Sequence, residues 1–238
     1  MCCRPPHGPG VRKPAGKWGD FQCDVPMILV DNVLQTMKST SPNMRFVIVT
    51  GDTPAHDIWD QNQESVKRTT SLVMDAFQRN LGEIPVYFSI GNHESSPANS
   101  FPFNSIPYPE HSVKWLYEFL ETEYSRWIKP ESLGTTFKRF GYYSSYVPSV
   151  PNLKILSLNT QMCYFFNFWI FMRFFETDPN NMFDWMIQEL QASEDKNEKV
   201  FIIGVLLHLI LSIFHREIMT AQLVGLHFIQ KSLNAMIM

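Results

Sequence analysis

Asp52 ends the stretch FVIVTGD, and about forty residues later Asn92, His93 and Glu94 end the stretch VYFSIGNHE. Each polar group follows a short apolar run and a glycine. Carboxylate, amide carbonyl and imidazole are donors that a borderline divalent cation accepts. Asp52 can bridge two ions, Asn92 can add a neutral oxygen, and two such ions can clamp a phosphoester through an in-line displacement. His56, four residues past Asp52, and His93 could each protonate a departing alkoxide, because imidazole titrates near the pH where such work is done. Taken singly, Gly51-Asp52 reads as a turn, GNHE as a capped turn and His56 as an exposed loop histidine. Their placement at the ends of two consecutive apolar runs makes the pattern specific.

The surrounding elements must bring the two loops together. Phe46–Thr50 and Pro85–Ile90 read as buried strands, and Gln61–Asn80, with Val66, Val73 and Phe77 at helical spacing, as an amphipathic helix between them. A strand–helix–strand unit predicts a parallel pair. Its two carboxyl-terminal loops then line the crevice where open α/β sheets bind ligands. The oxygens of Asp52 and Asn92 should lie within roughly 5 Å of one another, with His93 facing the same crevice. Gly51 and Gly91 allow the sharp turn and close approach this needs.

Further helices are predicted over Met27–Lys38, His111–Lys129 and Asn181–Lys196, and further strands over Phe140–Val147, Lys154–Leu158 and Val200–Ile203. Ser95–Pro109, rich in Ser, Pro and Asn, reads as a long loop. The alternation gives a layered α/β class with a central sheet. Val200–Phe214 is broken only by Gly204, His208 and Ser212, but its 15 residues fall short of the roughly 18 to 20 of a membrane-spanning helix. A buried strand followed by a core helix is expected there, and no transmembrane helix.

The chain has 238 residues, 45% hydrophobic, enough for a sizeable core. A net charge of −3 offers no electrostatic case for nucleic acid, and no run of like charge suggests a tail or a membrane patch. Aromatic residues make up 14%, including 19 Phe. They fit either a rich core or a surface that meets apolar material. MCCRPPHGPGVRKPAGKWGD lacks the apolar stretch of a signal peptide and reads as loop. Of the four cysteines, Cys3 and Cys23 fit one loop closure in an oxidising compartment, which would leave Cys2 and Cys163 needing partners.

GD followed about forty residues on by GNHE resembles the calcineurin-like metallophosphoesterase signature. The longer stretches TGDTPAHDIW, GNHESSPANSFP, WLYEF, SLNTQMCYFFNFW and TDP…W…ELQASED, with the lead-in CCR…AGKWGDFQCD, are similar to acid sphingomyelinases over about residues 2 to 204. The resemblance implies a metallophosphoesterase-like fold of central β-sheets flanked by helices. It also implies hydrolysis of sphingomyelin to ceramide and phosphocholine at two Zn2+ ions, on a lipid at a membrane surface, in a lysosomal or extracellular setting. Asp52 matches the carboxylate between the ions and Asn92 a ligand of one. His93 matches the histidine that bonds the phosphate or protonates the leaving alcohol, and His56 a second histidine near the phosphate.

Departures from the family pattern are equally plain. The family's first motif, Asp-x-His, occurs nowhere in the chain, and Val205 rather than histidine follows Ile202-Ile203-Gly204. His208, His215 and His227 lack the spacing of the family's later ligands. In the family the cysteines matching Cys2 and Cys163 pair with others upstream and downstream. The organisation expected is a cysteine-, proline- and glycine-rich lead-in over 1–26, a partial phosphoesterase domain over 27–204 and a divergent apolar tail over 205–238. With two ligands of about seven, the chain is expected to be an incomplete form of the enzyme, inactive as given. A non-catalytic product or pseudoenzyme is the first alternative, and a sphingomyelinase-like phosphodiesterase acting on nucleotides the second.

Overall fold

A computed structural model describes residues 15–173 and 178–205 of the chain. The element order is α1 (Met27–Thr40), β1 (Val47–Val49), α2 (Gln63–Leu81), β2 (Val86–Phe88), α3 (Lys114–Tyr124), α4 (Pro130–Phe140), β3 (Tyr143–Tyr146), β4 (Leu153–Ser157), α5 (Met182–Asp195) and β5 (Lys199–Ile203). Short 3₁₀ turns punctuate the loops.

Strands β1 and β2 pair in parallel, with Val47 opposite Val86 and Val49 opposite Phe88. The helix between them starts where Asn62 and Ser65 exchange side-chain-to-backbone bonds, each satisfying a donor that a helix start leaves open. It stops at Gly82, whose φ of 63° suits glycine. The second sheet runs β3-β4-β5, antiparallel across the first pair and parallel across the second.

Side chains join the two sheets at Phe88. The Tyr143 hydroxyl donates to Phe88 O at 2.8 Å and accepts from Phe88 N at 3.1 Å, and Ser157 Oγ donates to Phe88 O at 2.9 Å. The Phe88 ring stacks on Tyr124 with centroids 4.7 Å apart. Strand β2 is thus buried on both faces, which accounts for its unbroken apolar run. The core around it takes Met74, Leu81, Leu116, Leu120, Phe137 and Ile155.

One expectation is corrected. The helix predicted over His111–Lys129 ends at Tyr124, and a second helix, α4, follows from Pro130. A residue before proline is pushed out of the helical region, and Lys129 accordingly has ψ 138°. Pro130 then opens the new helix, which Gly134 interrupts at φ 58° and Gly141 caps in the left-handed conformation. No helix among the described residues is long and apolar enough to cross a membrane. The helix expected beyond Val205 lies outside the described residues, as does the Cys3 side of the expected Cys3–Cys23 closure. Cys23 is disulfide-bonded. Cys163 is free, and burial pushes its thiol up to about 12.

Candidate active site

Parallel pairing carries the chain out of β1 and β2 on the same side, and the two exits lie against each other. A β-carbon on Gly51 would strike Gly91 N and the Ser89 carbonyl, and one on Gly91 would strike Asp52 Oδ1 and Asp52 N. Gly51 has φ 91°, and Asp52 itself has φ 59°. That conformation is uncommon outside glycine, though a short Asp side chain tolerates it better than most. It turns Asp52 back across the second loop, where Oδ1 accepts from His93 N at 3.1 Å.

Buried Glu94 holds this arrangement from beneath. Its Oε1 accepts from Thr53 N at 2.8 Å and Thr53 Oγ1 at 3.0 Å, and its Oε2 from Asp52 N at 3.0 Å and Gly91 N at 2.9 Å. Desolvation nonetheless dominates and raises its pKa to about 7, with the Asp52 charge adding to the rise against the hydrogen bonds. Glu94 touches both loops and orients them; the sequence reading gave it no role.

Asn92 Nδ2 donates to Asn99 Oδ1 at 2.9 Å. The other end of the Asn92 amide lies 3.2 Å from Asp52 Oδ1 and 3.3 Å from Oδ2, a position that suits its NH2 better than its oxygen in the metal-free protein. Turning the amide over would donate to Asp52, but its oxygen would then meet Asn99 Oδ1 at 2.9 Å unless that amide turned as well. With the Asn92 oxygen turned towards Asp52, the same spacing would accept a cation. Two oxygens each about 2.1 Å from one ion stand about 3 to 3.4 Å apart. The donors therefore fit a divalent metal ion in kind and in spacing. They are two, however, and among the described residues no group of three or more His, Cys, Asp or Glu is placed to hold an ion.

The His93 and His56 rings lie with centroids 4.5 Å apart. Burial holds the His93 imidazole below the usual histidine range; the Asp52 charge and the Ala55 backbone oppose this, and His56 reinforces it. Its Nδ1 is buried and has no well-formed hydrogen bond, while its carbonyl accepts from Gln61 Nε2 at 3.1 Å. His56 is aimed from the lead-in side, where Asp24 Oδ1 lies 2.6 Å from His56 Nδ1 and Asp24 Oδ2 accepts from His56 N at 3.1 Å. Burial works against the Asp24 charge, but these bonds outweigh it and hold the carboxyl below its usual range. Asp52, Asn92, His93 and His56 thus cluster at the paired exits of β1 and β2. Asp24, Gln61 and Asn99 were not foreseen as their supports. Only Glu94, adjacent to His93 in GNHE, carried a signal in the sequence.

Similarity to known proteins agrees with this geometry. The profile of the family described as calcineurin-like phosphoesterase matches residues 20–216, running past Gly204. The chain is 39% identical to the sphingomyelin phosphodiesterase of Homo sapiens over 209 residues, covering 86% of this chain and 32% of that protein. It is 36% identical to sphingomyelin phosphodiesterase B of Dictyostelium discoideum over 207 residues, 86% of this chain and 31% of the relative. It is 30% identical to the cyclic GMP-AMP phosphodiesterase SMPDL3A of Bos taurus over 190 residues, 79% of this chain and 40% of the relative. The chain spans about a third of the length of the sphingomyelin phosphodiesterases it matches. A match over most of the chain, on a fold whose first parallel strand pair presents Asp52 and Asn92 side by side, makes it a member of the calcineurin-like phosphoesterase family.

Proposed function

We propose that this chain carries part of the catalytic machinery of a phosphodiester hydrolase of the acid sphingomyelinase type, cleaving sphingomyelin to ceramide and phosphocholine. The observation that carries the reading is the placement of the Asn92 side-chain amide against the Asp52 carboxylate, at 3.2 to 3.3 Å, beside two histidine rings. Asp52 and Asn92 would hold Zn2+ through a carboxylate and an amide oxygen. When bound, the metal supplies a lowered pKa for water and neutralises charge on the phosphoryl oxygens. The protein's own residues handle the proton and the geometry. A water oxygen attacks phosphorus and gives up one proton to solvent, the bond to the ceramide oxygen breaks, and that oxygen takes a proton from His93, which solvent then reprotonates, with His56 as a second donor. The Asp24 carboxylate orients His56, and Glu94 fixes the backbone from which Asp52 and Asn92 project.

Relatives named as sphingomyelin phosphodiesterases support the substrate class, and the disulfide at Cys23 supports an oxidising compartment, lysosomal or extracellular. The two oxygen donors found among the described residues are fewer than the four ligands Zn2+ usually takes. By itself the 238-residue chain is therefore expected to show no zinc-dependent sphingomyelin hydrolysis at pH 5. A chimaera in which residues 20–205 replace the matching segment of the human relative tests the function. It should hydrolyse sphingomyelin, and Asp52→Ala should abolish that. A folded, zinc-loaded chimaera without turnover would overturn the proposal.

A further inference from the structure

Tyr164–Met172 reads YFFNFWIFM, nine residues without a charge, and most of its large side chains point outward. Phe168 is 70% exposed and Phe171 64%, and Phe165, Phe166 and Met172 are each about half exposed. Several of these rings pack on each other instead of on the core: Phe165 and Phe166 have centroids 4.0 Å apart, and Phe168 and Phe171 6.2 Å. A soluble surface seldom concentrates apolar area in this way without a partner.

The segment is held firmly from below. Buried Asn167 accepts from Phe101 N at 3.1 Å through Oδ1, and its Nδ2 donates to Phe101 O at 2.9 Å and Gln161 O at 3.2 Å. Trp169 Nε1 donates to Ser100 Oγ at 2.9 Å. These anchors tie it to the loop that leaves the candidate active site. Asn99 N donates to Asn92 O at 2.9 Å, and Gln161 Nε2 donates to Ile90 O at 3.1 Å, just ahead of Gly91 and Asn92. The apolar surface and the phosphodiester site are therefore two ends of one hydrogen-bonded loop assembly.

We infer that Tyr164–Met172 is a membrane-docking surface, whose phenylalanines enter the headgroup and upper acyl region of a bilayer and hold the site over the lipids it cleaves. The inference rests on the reading that the substrate is a phosphodiester lipid. Bulky aromatic side chains free of charge suit the interfacial region, where they exchange water for acyl chains while the loop backbone stays outside. A lipid substrate sits in such a bilayer, and continuity with the Asn92 loop favours that occupant over a protein.

The test is cosedimentation of the 238-residue chain with phosphatidylcholine–sphingomyelin vesicles in EDTA, so that no turnover intervenes. The chain should partition onto the vesicles. Phe168→Glu with Phe171→Glu should lower the partition coefficient at least about tenfold, given the apolar area withdrawn. Val33→Glu, at an apolar position on α1 that is 47% exposed, should leave it unchanged. Circular dichroism checks the fold, and Phe168→Ser with Phe171→Ser repeats the test if the charged pair unfolds. Equal binding by parent and variant overturns the proposal. So does a dimer that the substitutions dissociate without any vesicle binding, which would mean that a second copy covers the patch. Vesicle binding lost in the variants, alongside a chimaera that fails to hydrolyse sphingomyelin, would sink the enzymatic reading and leave the docking surface standing.

Discussion

Glu94 Oε2 accepts the N–H of Asp52 at 3.0 Å, across 42 positions of sequence, and the same oxygen takes the N–H of Gly91 at 2.9 Å. One buried carboxylate oxygen thereby fastens the exits of two parallel strands to each other. The metal-type donors above it inherit their spacing from that fastening.

The carboxylate gives the fold a pH dependence of definite sign. The folded-state pKa is about 7 against an ordinary value of 4.5. Between these values the folded chain keeps a proton that the unfolded chain has lost, so stability is full below pH 4.5 and falls as pH rises towards 7, by about 3 kcal/mol in the metal-free protein. Glu94→Gln should flatten the slope. At pH 5 it should also destabilise by about 1–3 kcal/mol, because either amide orientation turns an NH2 towards two donors. Urea denaturation from pH 4.5 to 8 measures both. A stability that rises over this window would contradict the assignment.

Gly91→Ala is expected to be among the most damaging small substitutions in the chain. The added carbon meets Asp52 backbone and carboxylate, and neither can retreat without breaking a bond to Glu94 or His93. Overpacking of this kind destabilises by about 1–3 kcal/mol. Gly51→Ala meets Gly91 N and Ser89 O and adds the strain of its positive φ, so it should lose more. Thermal unfolding of the two variants, side by side, gives the order.

His93 should titrate below the usual histidine range in NMR spectra, because burial disfavours its cation. Asp52→Asn removes a favourable charge and should lower the value further; His56→Gln removes a repulsive one and should raise it. With the folded value depressed, this group's contribution to stability is present above its unfolded pKa and lost as pH falls below it. Movement of both variants in the same direction would show that the two charges do not act on His93 as their placement requires.

Zinc added to the metal-free chimaera should perturb the Asn92 side-chain amide resonances, because an ion between Asn92 and Asp52 would turn the Asn92 oxygen towards Asp52 and Nδ2 towards Asn99. Asp52→Ala should remove the response. If instead the Asn92 signals move equally in that variant, the ion is held elsewhere.

Much of this architecture was legible in sequence because it is local. Val47–Val49 and Val86–Phe88 announce buried strands by their side chains, and the Asn62–Ser65 start and Gly82 stop delimit the helix between them. A strand–helix–strand order implies parallel pairing, and parallel pairing puts Asp52 and Asn92 at neighbouring exits. That step, together with the motif resemblance, was enough to nominate Asp52, Asn92, His93 and His56 as the candidate site. Pro130 marked the start of α4 locally and bounded the predicted helix at Lys129, but the aromatic spacing through Trp127 ran past the end of α3 at Tyr124.

What only the tertiary structure decided is who stands beneath and beside those residues. Asp24 reaches His56 over 32 positions, Glu94 reaches Thr53 over 41, and Asn167 reaches Phe101 over 66. No window of sequence contains such pairs, and a buried carboxylate looks like a surface one until its desolvation and donors are known. The phenylalanines make the same point. Phe88, Phe101 and Phe137 are buried, whereas Phe165, Phe168 and Phe171 are exposed. Composition alone could not separate them, because burial depends on which neighbours the fold brings together and not on the side chain itself.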